Sequence, residues 1–307
     1  MDSNLKTYIL MVIATIFWAG AFIAGKLGIN NFTPVVLTYL RVGLATLIIF
    51  PFMKKRNKDD WKLDKKEYPL VLTLGLVGMT GYHLLFFKAL EFTTASNASV
   101  INAFNPIITS ILSIIILKES LSFKQIFLVI LAFIGVFLTI TEWNVLKVLS
   151  TGMNKGDLIM LVAATCWAIY SIIVKKGMKR LKPLKLTTYT FVACIIILTP
   201  FFLREVIIYN ALDVPAKSYL AIIYMSIFPT VGGYTIQQYS INEIGPSTTA
   251  LFINLVPIFS IFMAVIFLNE SFYKLNFISI FMVILSVFLF LKNKSYKKIN
   301  NKKERTV

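Results

Sequence analysis

Apolar positions in this chain do not alternate with polar ones; they run on in ten continuous stretches separated by short polar turns. Each stretch has close to the ~20 residues a helix needs to cross a ~30 Å hydrocarbon layer. The pattern predicts five helices over about Tyr8–Gly25, Pro34–Met53, Tyr68–Leu90, Asn97–Leu117 and Phe123–Thr141. Five more are predicted over Gly156–Val174, Pro183–Leu203, Ser218–Ile241, Ser247–Leu268 and Tyr273–Leu291. Strands are excluded, because a strand in lipid needs alternation and a closed barrel to satisfy its backbone. The first run is too long for a secretory signal and lacks its small-residue cleavage site, so it is expected to stay as a helix.

The pattern then repeats. Shifting Gly81–Ser120 by 151 residues lays it on Gly232–Ser271, so that Ser96 meets Ser247, Pro106 meets Pro257 and Glu119 meets Glu270. Upstream the offset is 149, with Trp18, Lys26, Pro34 and Pro51 falling on Trp167, Lys175, Pro183 and Pro200. A repeat found first decides the architecture before any single helix is assigned. The expected organisation is a five-helix repeat over 1–142, an extracytoplasmic linker over 143–155, a second five-helix repeat over 156–291 and a basic cytoplasmic tail over 292–307. Five is an odd number, so two tandem copies enter the membrane from opposite faces. The reading is an all-α polytopic membrane protein with ten transmembrane helices in two inverted repeats, a construction many secondary transporters use.

Composition agrees. With 57% hydrophobic and 15% charged residues and a mean hydropathy of +0.77, the chain carries more apolar surface than one soluble core can hide. The net charge of +17 raises nucleic acid as a partner. The basic residues, however, sit in loops and a tail beside long apolar runs, which marks a cytoplasmic membrane face, so no nucleic acid is expected. With the N-terminus inside, that side holds 23 Lys and Arg against 7 outside, which puts both termini in the cytoplasm of a multi-pass protein of the cell membrane. Cys166 and Cys194 lie within apolar runs with no paired spacing, and read as small buried hydrophobes.

The tandem of five-helix units, the segment ALEFTTASNAS at Ala89–Ser99, the mid-helix Pro106 and Pro257 and the Leu-x-Glu ending helices 4 and 9 together resemble the drug/metabolite transporter superfamily, EamA type. The resemblance covers nearly the whole chain, and its motifs are specific only as a set. It implies a ten-helix bundle with a central cavity lined mainly by helices 1, 3, 4, 6, 8 and 9. It also implies carriage of small metabolites, commonly outward transport of amino acids or related compounds.

Candidate solute contacts follow from polar and wide side chains near mid-membrane. Pro106 and Pro257 lie about ten residues into their helices and each frees a carbonyl four residues earlier, predicting paired kinks. Asn102, Asn105 and Asn254 flank them, either as cavity groups or as interhelical bonds worth ~0.6 kcal/mol on average. His83 and Phe86 on helix 3, with Tyr234, Gln237 and Gln238 on helix 8, precede the kinked helices. The single histidine invites a proton-relay role, against the commoner one of a satisfied interhelical hydrogen bond. Trp18 and Phe22, and in the second copy Trp167, Tyr170 and Ser171, are too deep for an interfacial belt and are candidates for cavity walls or gates. Arg41 is the one clear intramembrane charge and has no matching charge in the second copy, where Thr190 takes its place. It needs carbonyls, an acid or a solute carboxylate, unless it snorkels to the outer surface and ties down a helix end. Glu119 and Glu270 sit at membrane boundaries, and Ser122 with Gln125 fits a capping box. Gly20, Gly25 and Gly28 read as close helix packing.

No acid pair, His cluster, Cys–His arrangement or phosphate loop is present in the sequence, so catalytic residues, metal and cofactors are not expected and an ATP-driven pump is excluded within this chain. The expectation is a secondary transporter that exports a small organic metabolite by alternating access, as a monomer or homodimer whose other partner is the lipid bilayer. The alternatives are a membrane-embedded enzyme or scaffold on the same bundle, and a drug or cation exporter of the same superfamily.

Overall fold

A computed structural model of the chain describes residues 3–58, 60–93, 98, 101–140, 155–207, 214–268 and 276–303. Residues 143–154 of the linker, Glu270 and most of 94–100 lie outside the described residues.

The described residues are helical with no strand among them. We label the helices α1 (Ser3–Ile29), α2 (Pro34–Arg56), α3 (Lys65–Phe92), α4 (Asn105–Leu117, with a helical turn before it), α5 (Phe123–Ile140), α6 (Lys155–Gly177), α7 (Pro183–Val206), α8 (Ala216–Ile244), α9 (residues 246–268) and α10 (Asn276–Lys303). Six are long and apolar enough to cross a membrane (α1, α2, α3, α6, α7 and α8), and the described parts of α4, α5, α9 and α10 are shorter apolar helices. Pro34 and Pro183 open α2 and α7, where a missing N–H costs nothing, and Thr33 caps α2 by accepting from the Val36 amide. Ser122 and Gln125 form the expected capping box at the start of α5, each side chain accepting from the other's backbone N–H. The last helix continues to Lys303, well past the apolar run that ends at Leu291.

Packing follows the repeat. α2 lies along α7 and α5 along α10, each helix against its own counterpart. α3 lies along α6 as α8 lies along α1, and α4 packs on α6 as α9 packs on α1. Every major contact therefore has a mate under exchange of the two halves, which is the contact map of a pseudo-two-fold bundle. Polar ties respect the ten-span threading. Lys185 at the start of α7 reaches Asp60 (2.8 Å) and Glu67 (3.7 Å) of the α2–α3 loop, and Tyr189 donates to the Trp61 carbonyl (2.7 Å). At the opposite face, Asn31 donates to Ser218 (2.9 Å), Thr33 bonds Glu205 and Thr93 donates to Asp157 (2.7 Å). Outward, Leu47, Ile115, Ile196 and Leu220 are exposed, a surface that suits lipid and not water.

Two irregularities recur in both copies. The first is a stretch of π-helix inside α3 (Gly75–Gly81) and inside α8 (Ser226–Gly233), starting at positions 151 apart. Such wide turns are rare and concentrate at functional sites. A glycine in the first of them lets a neighbouring helix approach, since Gly78 receives the Tyr170 ring, 2.0 Å from where a Cβ would sit. The second is a break before each mid-helix proline. Residues 103–104 form a turn ahead of Pro106, and α9 tightens into a 3-10 segment at Phe252–Leu255 ahead of Pro257. The paired kinks are thus interruptions at which helix restarts, with proline in its first turn.

Candidate functional site

The wide turn in α8 builds one wall of the central cavity. Pro229 has no N–H to give the Met225 carbonyl four residues earlier. The Thr230 hydroxyl takes over that carbonyl (2.6 Å) and in turn accepts from Nε of Arg41 (2.6 Å). The Pro229 carbonyl accepts the indole N–H of Trp18 (3.3 Å). One proline thereby orients a cation from α2 and a ring from α1. In α3, the Met79 carbonyl within the wide turn lies 2.8 Å from Nδ1 of His83. A carbonyl only accepts, so Nδ1 carries the hydrogen and Nε2 the lone pair, which accepts from the Tyr234 hydroxyl (3.3 Å). His83 thus serves as an interhelical hydrogen-bonder with both ring nitrogens engaged.

Two of these contacts join equivalent positions of the two halves. His83 and Tyr234 are 151 residues apart and touch, with ring centroids 5.9 Å apart. Trp18 and Trp167, 149 apart, meet edge to face at 6.0 Å and 89°. A residue can touch its own counterpart only near the axis that relates them, so the pseudo-two-fold runs through this aromatic cluster. Tyr82 stacks obliquely on Trp167 (4.5 Å), and Phe22 meets Phe86 (5.2 Å).

The cavity at this point is narrow, about 40 Å³, space for a few waters. Its wall includes Trp18, Phe22, His83, Phe86, Trp167 and Tyr234, together with Arg41 and Asn102, all singled out by sequence. It also includes Ala21, Tyr82, Ile253 and Val256, which were not. Tyr82 was legible as the ring following the last glycine of the wide turn. Ile253 and Val256 are the repeat counterparts of Asn102 and Asn105, a relation that offered a signal. Helix α2 joins the wall through Arg41, in addition to the helices the resemblance implied.

The remaining sequence candidates lie behind this wall. Asn105 donates to the Ala164 carbonyl (2.9 Å), Ser171 to the Trp167 carbonyl (3.0 Å) and Gln238 to the Tyr170 hydroxyl (2.7 Å). Gln237 and Asn254 are buried, and Oε1 of the one and both amide atoms of the other have no hydrogen-bond partner among the described residues. Arg41 does not snorkel. It is 3% exposed and bonded inward to Thr230, whose hydroxyl oxygen accepts from Nε while its hydrogen goes to the Met225 carbonyl. Glu119, at its membrane boundary, accepts from Ser247 at the start of α9 (2.7 Å).

Each face of the bundle carries one lysine clasp, again at repeat-equivalent positions. Lys26 of α1 donates to the Leu90 carbonyl ending α3 (2.7 Å). Lys175 of α6 donates to the Ile241 and Asn242 carbonyls ending α8 (3.0 and 2.8 Å). Cations suit helix C-termini, whose last carbonyls are otherwise unpaired.

A duplicated ten-span bundle with a central cavity on its internal dyad defines a polytopic membrane protein built from two repeats. Comparison makes this specific: the EamA-like transporter family model matches residues 5–141 and 154–292, and the chain belongs to that family. A Bacillus subtilis (strain 168) protein named as the uncharacterized transporter YyaM is 34% identical over 261 residues, covering 83% of this chain and 84% of that one. An Archaeoglobus fulgidus transporter is 28% identical over 270 residues, covering 87% and 91%. A solved crystal structure superimposes with a TM-score of 0.73 over 92% of this chain and 96% of that one, at 14% identity, and so shares the fold.

Proposed function

We propose that this protein is a secondary carrier that exports a small organic metabolite, an amino acid or a related compound, across the cytoplasmic membrane by alternating access, with both termini in the cytoplasm. The observation that supports the reading most is the meeting of Trp18 with Trp167 and of His83 with Tyr234 beside a small central cavity. Inverted repeats place solute sites at their interface near the midplane, because the same two halves packed in two ways give two access states. The lysine clasps at repeat-equivalent positions on the two faces fit two halves that can exchange roles. The 23-to-7 excess of basic residues supports the orientation, and the outward direction rests on the family resemblance. Reconstitution into vesicles tests it. Saturable flux of at least one compound from an amino-acid panel, measured with and without a pH gradient, is expected; empty-vesicle leak for every compound sinks the proposal.

A further inference from the structure

The polar groups of the cavity wall are unbalanced, and the imbalance names a ligand chemistry. Arg41 offers five N–H donors and no acceptor, and among the described residues only its Nε is bonded, to Thr230. No carboxylate lies within ion-pair distance of it among the described residues. A guanidinium 3% exposed within the membrane without a counter-ion is a costly arrangement unless something supplies one. The second observation is independent. Trp18 spends its indole N–H on the Pro229 carbonyl, but its counterpart Trp167, in the same wall and 5% exposed, has a buried N–H with no partner. An indole N–H only donates. His83 and Tyr234 spend their hydrogens on each other and on Met79, while Tyr82 and Asn102 can donate or accept.

Taken alone, six aromatic rings would suggest a cage for an organic cation. Arg41 in the same wall reverses that reading, because a cation entering the cavity meets a like charge at low dielectric and finds no described acid to hold it.

We infer that the cavity is a carboxylate site, in which the guanidinium of Arg41 and the indole N–H of Trp167 hold the carboxylate of a small solute, the present space of about 40 Å³ taking the carboxylate and the surrounding rings parting to pack on the apolar body. This rests on the carrier reading and narrows it: an amino acid qualifies through its carboxylate, its ammonium turning to the Asn102 carbonyl and the Tyr82 oxygen, and a simple organic acid qualifies equally. Bidentate binding to guanidinium is strong and geometrically selective for carboxylate.

Two matched probe sets test the site on the purified full-length protein. One is phenylalanine, 3-phenylpropionate, 3-phenylpropionamide and phenethylamine; the other is leucine, 4-methylpentanoate, its amide and isoamylamine. Calorimetric titration should show binding by carboxylate-bearing members of at least one set, with the amide weaker by about tenfold or more and the amine silent. Arg41→Gln should abolish binding. Trp167→Phe keeps a ring in place and should weaken carboxylates by about tenfold, which keeps the test decisive if Arg41→Gln does not fold. Amine or amide binding as tight as carboxylate overturns the inference, as does carboxylate affinity unmoved by Trp167→Phe, or no binding by any probe. Flux in vesicles separates the two readings: carboxylate binding without flux sinks the carrier and leaves the site, whereas flux of the amines alone sinks the site and leaves the carrier.

Discussion

Among the described residues, Asn254 is the one buried side chain with two unpartnered polar atoms. Its side chain is fully buried in the 3-10 break of α9 with both amide atoms unpaired, a cost of about 1–3 kcal/mol for a group left unmade. Such a group persists in a core when another arrangement of the same residues uses it. Hypothesis: the amide finds partners in the alternate access state. Asn254→Leu should then leave the thermal midpoint of the purified protein unchanged or higher while slowing flux; a lower midpoint with normal flux contradicts the idea. Gly78 shows the opposite kind of constraint, since nothing larger leaves room for the Tyr170 ring. The sequence marked Asn254 as polar and deep, and pattern alone cannot say whether a buried amide is satisfied. It missed Thr230 because that residue's role exists only through Pro229 and a carbonyl freed one turn earlier.

Among the elements, the starts of α2 and α7 and the two mid-helix prolines, Pro106 and Pro257, were readable, because proline acts on its own helix and its consequence needs no partner. The wide turns were not, although Gly75, Gly78 and Gly81 are spaced in threes and Pro229 is followed by paired glycines; composition permits a π-helix without demanding one. Inter-element ties were also hidden. The α2–α3 loop is pinned to α7 by Asp60, whose carboxyl is held below its usual range because the Lys185 ammonium hydrogen-bonds it. A lowered value means the contribution is present above the ordinary carboxylate value of 3.8 and vanishes as pH falls through the lowered one. Wild type should therefore melt slightly above Asp60→Asn at neutral pH, with the gap closing only in acid below that value. A gap that instead closes between pH 5 and 7 would show that another group carries it.

For the whole molecule, the duplicated pattern and its odd span count were enough to reach two inverted halves, because membrane crossing leaves little freedom in how a ten-span chain threads. What pattern could not supply was which equivalents touch, and hence where the axis runs. Glu119 and Ser247 join the end of α4 to the start of α9 at one face. If that face opens during transport, a Glu119→Cys, Ser247→Cys pair bridged by a short reducible bifunctional thiol reagent should stop flux, and reduction should restore it. Undiminished flux in the bridged protein would mean the contact is static.

Arg41 has Thr190 as its counterpart, and Thr190 merely donates back to the Leu186 carbonyl of its own helix (2.7 Å). The molecule is therefore handed where its architecture is even, and any cargo tethered to that guanidinium rides with the first half instead of balancing on the dyad. The two sides of the membrane should consequently present unequal half-saturation to the same solute. Exchanging the pair, Arg41→Thr with Thr190→Arg, should reverse the inequality between right-side-out and inverted vesicles, and equal values in the unaltered protein would dissolve the argument.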